Sequence, residues 1–365
     1  MQLYWMRQAG LNISGFCSTK DLARVHAAGL ACFVSDPRAN GYDWKQMPSP
    51  QILQKKIDSL VRQVQGQPAA LGFFLRDEPD ASLMPGLGQA ATLLKRAMPN
   101  AWPYINLLPN YTPAARLGAA NYEVYLKQYI QQVHPSLLSY DNYSLFDGEM
   151  LGRFYSNLET IRDLSLANKI PFWNVILSNS HFTYMEPNDA TLHLQAYSTM
   201  AYGGRGIEYY TYFSPAAGNF RMAAVDQFGQ RTPTWGELRR LNSEIRELAP
   251  WLAQLRSTGV YHSDPLPEGA KPIAQSTLVK DVRASTYESP PVPPRYLIGE
   301  FAGPNGRPFL MLVNKDLKHS FRYVIELKQS GKRLLLISPY SGKEESPEAE
   351  MDWLAPGAGA LFEIK

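Results

Sequence analysis

Gly72-Phe73-Phe74-Leu75-Arg76-Asp77-Glu78-Pro79 is the stretch on which the fold turns. A short apolar run, Leu71 to Arg76, has the length and bulk of a strand buried on both faces. It then delivers two acids and is stopped by a proline, which cannot donate to a ladder. Working outward, the same unit recurs. Strands are expected at 11–16, 30–36, 71–76, 103–108, 137–143, 171–177 and 206–213. Helices are expected between them at 19–28, 85–97, 121–133, 154–167 and 189–202. Another follows Ser49-Pro50, a good N-cap and N1 pair, with Ile52, Leu53, Ile57, Leu60, Val61 and Val64 on one face. The spacing from Thr234 to Glu237 is that of a capping box opening the last long helix.

Strands alternating with helices predict a parallel sheet. Two features favour a (β/α)8-type TIM barrel over an open doubly wound sheet. No phosphate-binding glycine loop follows the first strand; Gly86 to Ala91 fits the loose dinucleotide pattern but follows a polar loop, and is rejected. Polar and acidic residues also recur at strand ends: Asp36, Asp77, Glu78, Asn106, Asp141 and Asn179. Barrel sites are assembled there. The strand count is seven, one short of a full barrel, so the first strand is expected to be lacking. That leaves unpaired edges at 11–16 and 206–213, to be met by truncation, an open barrel, or an oligomer covering the edge.

From about residue 257 the pattern becomes short β-rich segments separated by Pro290-Pro291, Asn305-Gly306, Ser341-Gly342 and Pro356-Gly357. The expected strands are 258–262, 273–279, 282–287, 296–302, 308–313, 321–327, 333–338 and 359–364. The organisation read from this is a barrel over 1–256 and an antiparallel β-sandwich over 257–365.

With 45% hydrophobic and 19% charged residues the composition is that of a globular chain. A net charge of +3 without a basic block argues against nucleic acid. No apolar run approaches a bilayer span, so no membrane partner is expected. No signal peptide is visible: the chain is expected to be secreted or periplasmic with its leader absent, or else cytoplasmic. Cys17 and Cys32 would differ in height by about four residues, roughly 13 Å. A disulfide needs Cα atoms within about 7 Å, so both read as free buried thiols.

The candidate site follows from the strand ends. Pro79 biases Glu78 toward an extended backbone, which would aim its side chain into the barrel mouth as a general acid. Asp77 would point the other way along the strand and is kept as a binding residue with Asp36 and Asn106. Ser139-Tyr140-Asp141-Asn142-Tyr143 supplies a second acid, Asp141, as nucleophile or base. Tyr140, Tyr143, Trp173, His181 and Tyr212 are candidates to line sugar sites, since aromatic faces stack on sugars. Glu186 is the reserve second carboxylate. Asp147 and Glu149 read as solvated. Six scattered histidines suggest neither metal nor cofactor.

The strand ending in Asp77-Glu78-Pro79, with Ser139 to Tyr143, Ile170 to Trp173 and Gln195 to Tyr212, resembles bacterial glycoside hydrolases of the β-galactosidase-like type, a clan of (β/α)8 enzymes. The resemblance covers residues 1–256. It implies an acid/base glutamate after strand four, which Glu78 matches, and a nucleophile glutamate after strand seven. Here the strand at 171–177 meets no glutamate before Glu186, so Asp141 or Glu186 would serve. The expected function is hydrolysis of a β-linked poly- or oligosaccharide. The alternative is a carbohydrate-binding protein on a degenerate hydrolase barrel. A lyase or aldolase would need a strand-end lysine, and none is found.

Overall fold

The computed structural model describes residues 2–346 and 352–365. Seven parallel strands form one sheet: β1 (Ile13–Cys17), β2 (Ala31–Val34), β3 (Ala70–Asp77), β4 (Trp102–Leu107), β5 (Leu138–Asp141), β6 (Phe172–Leu177) and β7 (Gly206–Tyr210). Their order is sequential, with β1 and β7 at the two ends. Helices alternate with the strands, as the periodicity requires. The strand count and the barrel-type sheet match the sequence reading.

Two compact units are recognised: Met1–Asp141 with Leu164–Trp173, and Asn142–Asp163 with Asn174–Lys365. The first unit carries β1 to β5. Its interior is aromatic, with Phe33, Tyr104, Leu137 and Trp173 in one buried cluster. The Trp102 and Trp173 rings lie 5.4 Å apart. Its helices are amphipathic: Pro50–Val64 buries Leu53, Ile57, Leu60, Val61 and Val64. Asn121 caps Tyr122–Val133 by accepting from the Val124 N–H at 2.9 Å.

The cysteines correct the sequence reading. Cys17 and Cys32 form a disulfide with Cα atoms 6.1 Å apart. The register explains the error. Ile13 pairs with Ala31 but Phe16 with Phe33, so β1 uses an extra residue at a bulge containing Gly15, whose φ is 87°. The pairing of Ile13 with Ala31 takes one residue off the expected offset and the bulge takes off another, so Cys17 comes level with Val34, two residues past Cys32 instead of four.

In the second unit the strands after residue 256 are almost all antiparallel. A seven-stranded sheet contains Arg256–His262, Tyr296–Ala302, Pro308–Asn314, Gly359–Ile364 and Leu334–Ile337 in that order. A three-stranded sheet contains Val279–Ser285, Phe321–Leu327 and Trp353–Leu354. Ile298, Leu310, Phe321, Tyr323 and Phe362 share their common core. The expected strand at 273–279 is instead a 3-10 turn at Ile273–Gln275, with a strand only from Val279.

Strands Tyr296–Ala302 and Pro308–Asn314 are buried on both faces because helix Asp189–Ala201 packs against them. Gly299 permits this approach: a Cβ there would lie 2.2 Å from the Ala201 carbonyl oxygen. That helix is opened by a capping box, in which Asn188 and Thr191 exchange hydrogen bonds of 3.0 and 2.9 Å. The box expected at Thr234 is absent; the helix Pro233–Leu252 begins two residues earlier, with Thr232 at the N-cap. The Thr234 hydroxyl donates instead to the Met222 carbonyl at 2.8 Å.

Candidate active site

The site in the first unit is set by strand register. β3 and β4 pair Phe74 with Tyr104, then Arg76 with Ile105 and Asp77 with Asn106. The slip between Phe74 and Arg76 is a bulge, and it reverses which side chains face the barrel interior. The simple alternation that turned Asp77 away fails for this reason: Asp77 is level with Asn106 and bonded to it. β4 and β5 pair Asn106 with Ser139, so Asp141, two residues on, lies on the same face.

One amide joins the acids. Asn106 Nδ2 donates to Asp77 Oδ1 and to Asp141 Oδ1, both at 3.2 Å. The two carboxylate oxygens therefore lie within twice that distance of each other. Asn106 Oδ1 accepts from Ser139 Oγ at 3.2 Å, and the Tyr104 hydroxyl lies 2.9 Å from the same Oγ. This chain fixes the amide orientation, because only the NH2 end can face two carboxylates.

Glu78 follows at a backbone φ of 44°. The expected extended conformation is not adopted; a left-handed glutamate before proline stores conformational strain of order 1–3 kcal/mol. Its N–H donates to the Asn106 carbonyl at 2.9 Å, and its own carbonyl accepts from Arg116 at 2.8 Å. The buried Tyr125 hydroxyl donates to the Pro79 carbonyl at 2.8 Å. The backbone is thus held from three sides. The Glu78 carboxylate is half exposed and lies 3.8 Å from Arg116.

Electrostatics separate the acids. Asp141 is buried, and burial raises its pKa to about 8, with the charges of Glu78 and Asp77 adding and the Asn106 hydrogen bond opposing. Burial also raises Glu78, helped by Asp77 and opposed by Arg116. Burial therefore favours the neutral form of Asp141.

The other sequence candidates divide. Asp36 caps Pro37–Asn40 and is held bidentately by Arg38 at 2.8 Å, which lowers its pKa. Tyr140 alternates with Ser139 and Asp141 and is fully buried on the opposite face of β5. Trp173 belongs to the aromatic core. Phe16 was not singled out from sequence: it is 51% exposed, with its ring 4.1 Å from Phe74 and 5.7 Å from Tyr104. The ring is exposed on the face that carries Tyr104. Its only sequence signal was an aromatic residue near the end of a strand.

The second unit collects another set. Tyr143 stacks on Tyr210 at 5.4 Å, and His181 stacks on Phe220 at 4.5 Å. His181 Nδ1 bonds Asn179 Oδ1 at 2.8 Å, and burial lowers its pKa. Asn179 Nδ2 donates to the Tyr210 carbonyl at 2.7 Å, beside the cis peptide between Tyr210 and Thr211. Tyr212 is buried edge-on to Phe213 at 4.9 Å. Glu186 is held by Arg221 at 2.7 Å, and Glu149 by Arg295 at 3.0 Å. Among the described residues no cluster of three histidine, cysteine or acidic ligands is arranged to hold a metal.

No family model and no curated protein matches this sequence. Solved structures do. The β-galactosidase of the psychrophilic Marinomonas ef1 superposes with a TM-score of 0.52 at 9% identity, over 69% of this chain and 57% of that one. The cold-adapted β-galactosidase of Rahnella sp. R3 gives 0.54 at 13% identity, over 70% and 54%. A protein described as a glycoside hydrolase gives 0.53 at 11% identity, over 94% and 75%. This chain spans little more than half the length of the two β-galactosidases. At these identities the likeness is one of fold alone: a barrel-type parallel sheet followed by antiparallel β-structure.

Proposed function

We propose that the protein hydrolyses a β-linked oligo- or polysaccharide, with Asp141 as general acid and Glu78 as the second carboxylate. The observation that carries this reading is a buried carboxyl, Asp141, whose pKa burial raises, with the more exposed Glu78 near enough for its charge to add to that rise, both on strand ends of the parallel sheet. Enzymes divide acid and base roles between two carboxyls by such differences in environment. The sequence reading gave the proton to Glu78; the burial of Asp141 supports the reverse. Asp141 would protonate the glycosidic oxygen as the bond to C1 breaks. Glu78 would attack C1 or take a proton from the attacking water. Asp77 and Asn106 would orient Asp141, and Phe16 would stack on the sugar. The Cys17–Cys32 disulfide supports an oxidising compartment, secreted or periplasmic.

The test is a screen of β-linked glycans with wild-type protein, Asp141→Asn and Glu78→Gln. Each variant should lose about 10²–10⁴-fold in kcat/KM while remaining folded. Hydrolysis near the wild-type rate in both would refute the assignment. The competing reading, a carbohydrate-binding protein on a degenerate barrel, is favoured by Glu186 being tied to Arg221. Calorimetric binding without product from any glycan would select it.

A further inference from the structure

Within the second unit, loops at 147–152, 264–267, 292–295 and 315–319 enclose a cavity of about 820 Å³. That volume suits a small ligand. Three cationic side chains belong to its wall: Arg295, Lys315 and Lys318. Arg295 is spent on Glu149 at 3.0 Å, and Lys318 is exposed. Among the wall carboxylates, Asp316 accepts from the Lys318 and His319 N–H groups at 2.7 and 2.9 Å and from the His319 ring.

Lys315 is different. It is partly buried, and among the described residues no carboxylate lies within ion-pair distance of its ammonium. Its hydrogen-bond partners are neutral and long: the Ser263 carbonyl at 3.3 Å and His262 Nδ1 at 3.4 Å. The Tyr155 ring lies 5.7 Å away. His262 cannot supply a charge of the right sign. Burial and Lys315 itself keep it neutral, and its Nε2 bonds the Tyr202 hydroxyl at 2.8 Å. Asp264 acts on Lys315 only as a more distant charge. A desolvated cation without a counter-charge is costly, and this one stands on the wall of a cavity with apolar surfaces at Leu266 and Pro267.

We propose that this cavity binds a small carboxylate-bearing ligand, an acidic sugar or an organic acid, whose anion pairs with Lys315. The assignment does not rest on the hydrolase reading.

Calorimetry on the full chain tests it with glucuronate, glucose and succinate. Glucuronate should saturate the protein at pH 7 and glucose should not. Saturation by succinate as well would show that the carboxylate suffices without the sugar ring. Lys315→Met should abolish glucuronate binding while the melting temperature holds or rises, because a neutral side chain removes the unpaired charge. Affinity should also fall about tenfold from pH 7 to pH 9, since burial and Arg295 push the Lys315 pKa down to about 8. In that interval His262 stays neutral, and burial holds the Tyr155 hydroxyl protonated. Silence from both acids at millimolar concentration overturns the proposal. So does glucuronate binding that survives Lys315→Met.

Discussion

At the scale of the residue, Asp141 carries an opposition between stability and chemistry. Burial in the folded chain favours its neutral form, whereas an unfolded aspartate ionises near its ordinary pKa. Above about pH 4 the folded state therefore binds a proton the unfolded state does not, and stability falls as pH rises. Asparagine has the same shape, can still accept from Asn106, and never ionises. Asp141→Asn should therefore raise stability at pH 7 by on the order of 2–4 kcal/mol while cutting kcat/KM by about 10²–10⁴-fold. Denaturant unfolding checks the first and product assay the second. A variant less stable than wild type would mean that Asp141 is ionised and useful as an anion. Legibility at this scale was uneven. Glu78, Asp141 and Asn106 were readable because strand ends can be located from apolar runs. The direction of Asp77 and the backbone of Glu78 were not, because a one-residue bulge leaves no mark in composition.

At the scale of the element, the decisive features are registers and caps. The disulfide joins β1 to β2 across a separation of 15 residues. A closed loop of that size contributes about 3 kcal/mol by restricting the unfolded chain. Cys17→Ser should lower unfolding stability by about 2–4 kcal/mol, and reduction of wild type should cost the same. Thiol titration of the unreduced, denatured protein should find no free thiol; finding two would remove the bridge from the argument. Caps scale similarly. Asn121→Ala removes the acceptor for the Val124 N–H and should cost about 1 kcal/mol. The alternation of seven strands with helices was legible because periods of 2 and 3.6 are direct consequences of backbone geometry. The Cys17–Cys32 pairing was not, because it depends on where β1 and β2 begin to pair and on the extra residue at the β1 bulge. The burial of Tyr140 was not legible for a simpler reason: on a strand buried on both faces, composition cannot say which face meets the site.

At the scale of the whole molecule, the buried ionisable groups combine into one pH profile. Between about pH 4 and 8 the folded chain keeps the Asp141 proton that the unfolded chain loses, so this group draws stability down as pH rises. His193, raised by Glu244 and Asp189 against its own burial, works in the same direction above the ordinary histidine pKa. Burial lowers His262, which works the opposite way, but only as pH falls below about 6.5. Lys315 takes over on the alkaline side. Its folded pKa is about 8, against 10.5 ordinarily, so between those values the unfolded chain holds the extra proton and stability rises with pH. Above about pH 9 the buried tyrosines oppose Lys315: burial keeps the hydroxyls of Tyr125, Tyr129, Tyr155, Tyr202 and Tyr209 protonated where an unfolded tyrosine ionises. Melting temperature should therefore decline from about pH 6.5, level off between about pH 8 and 9, and fall again toward pH 10. Most globular domains would instead be near their best between pH 5 and 8. The descent and the plateau have separate owners, which makes the profile a test of both sites at once. Asp141→Asn should flatten the first descent and leave the plateau; Lys315→Met should leave the descent and remove the plateau. A wild-type profile with no plateau, or a variant that changes the wrong part, would show that these charges are not held as their surroundings require.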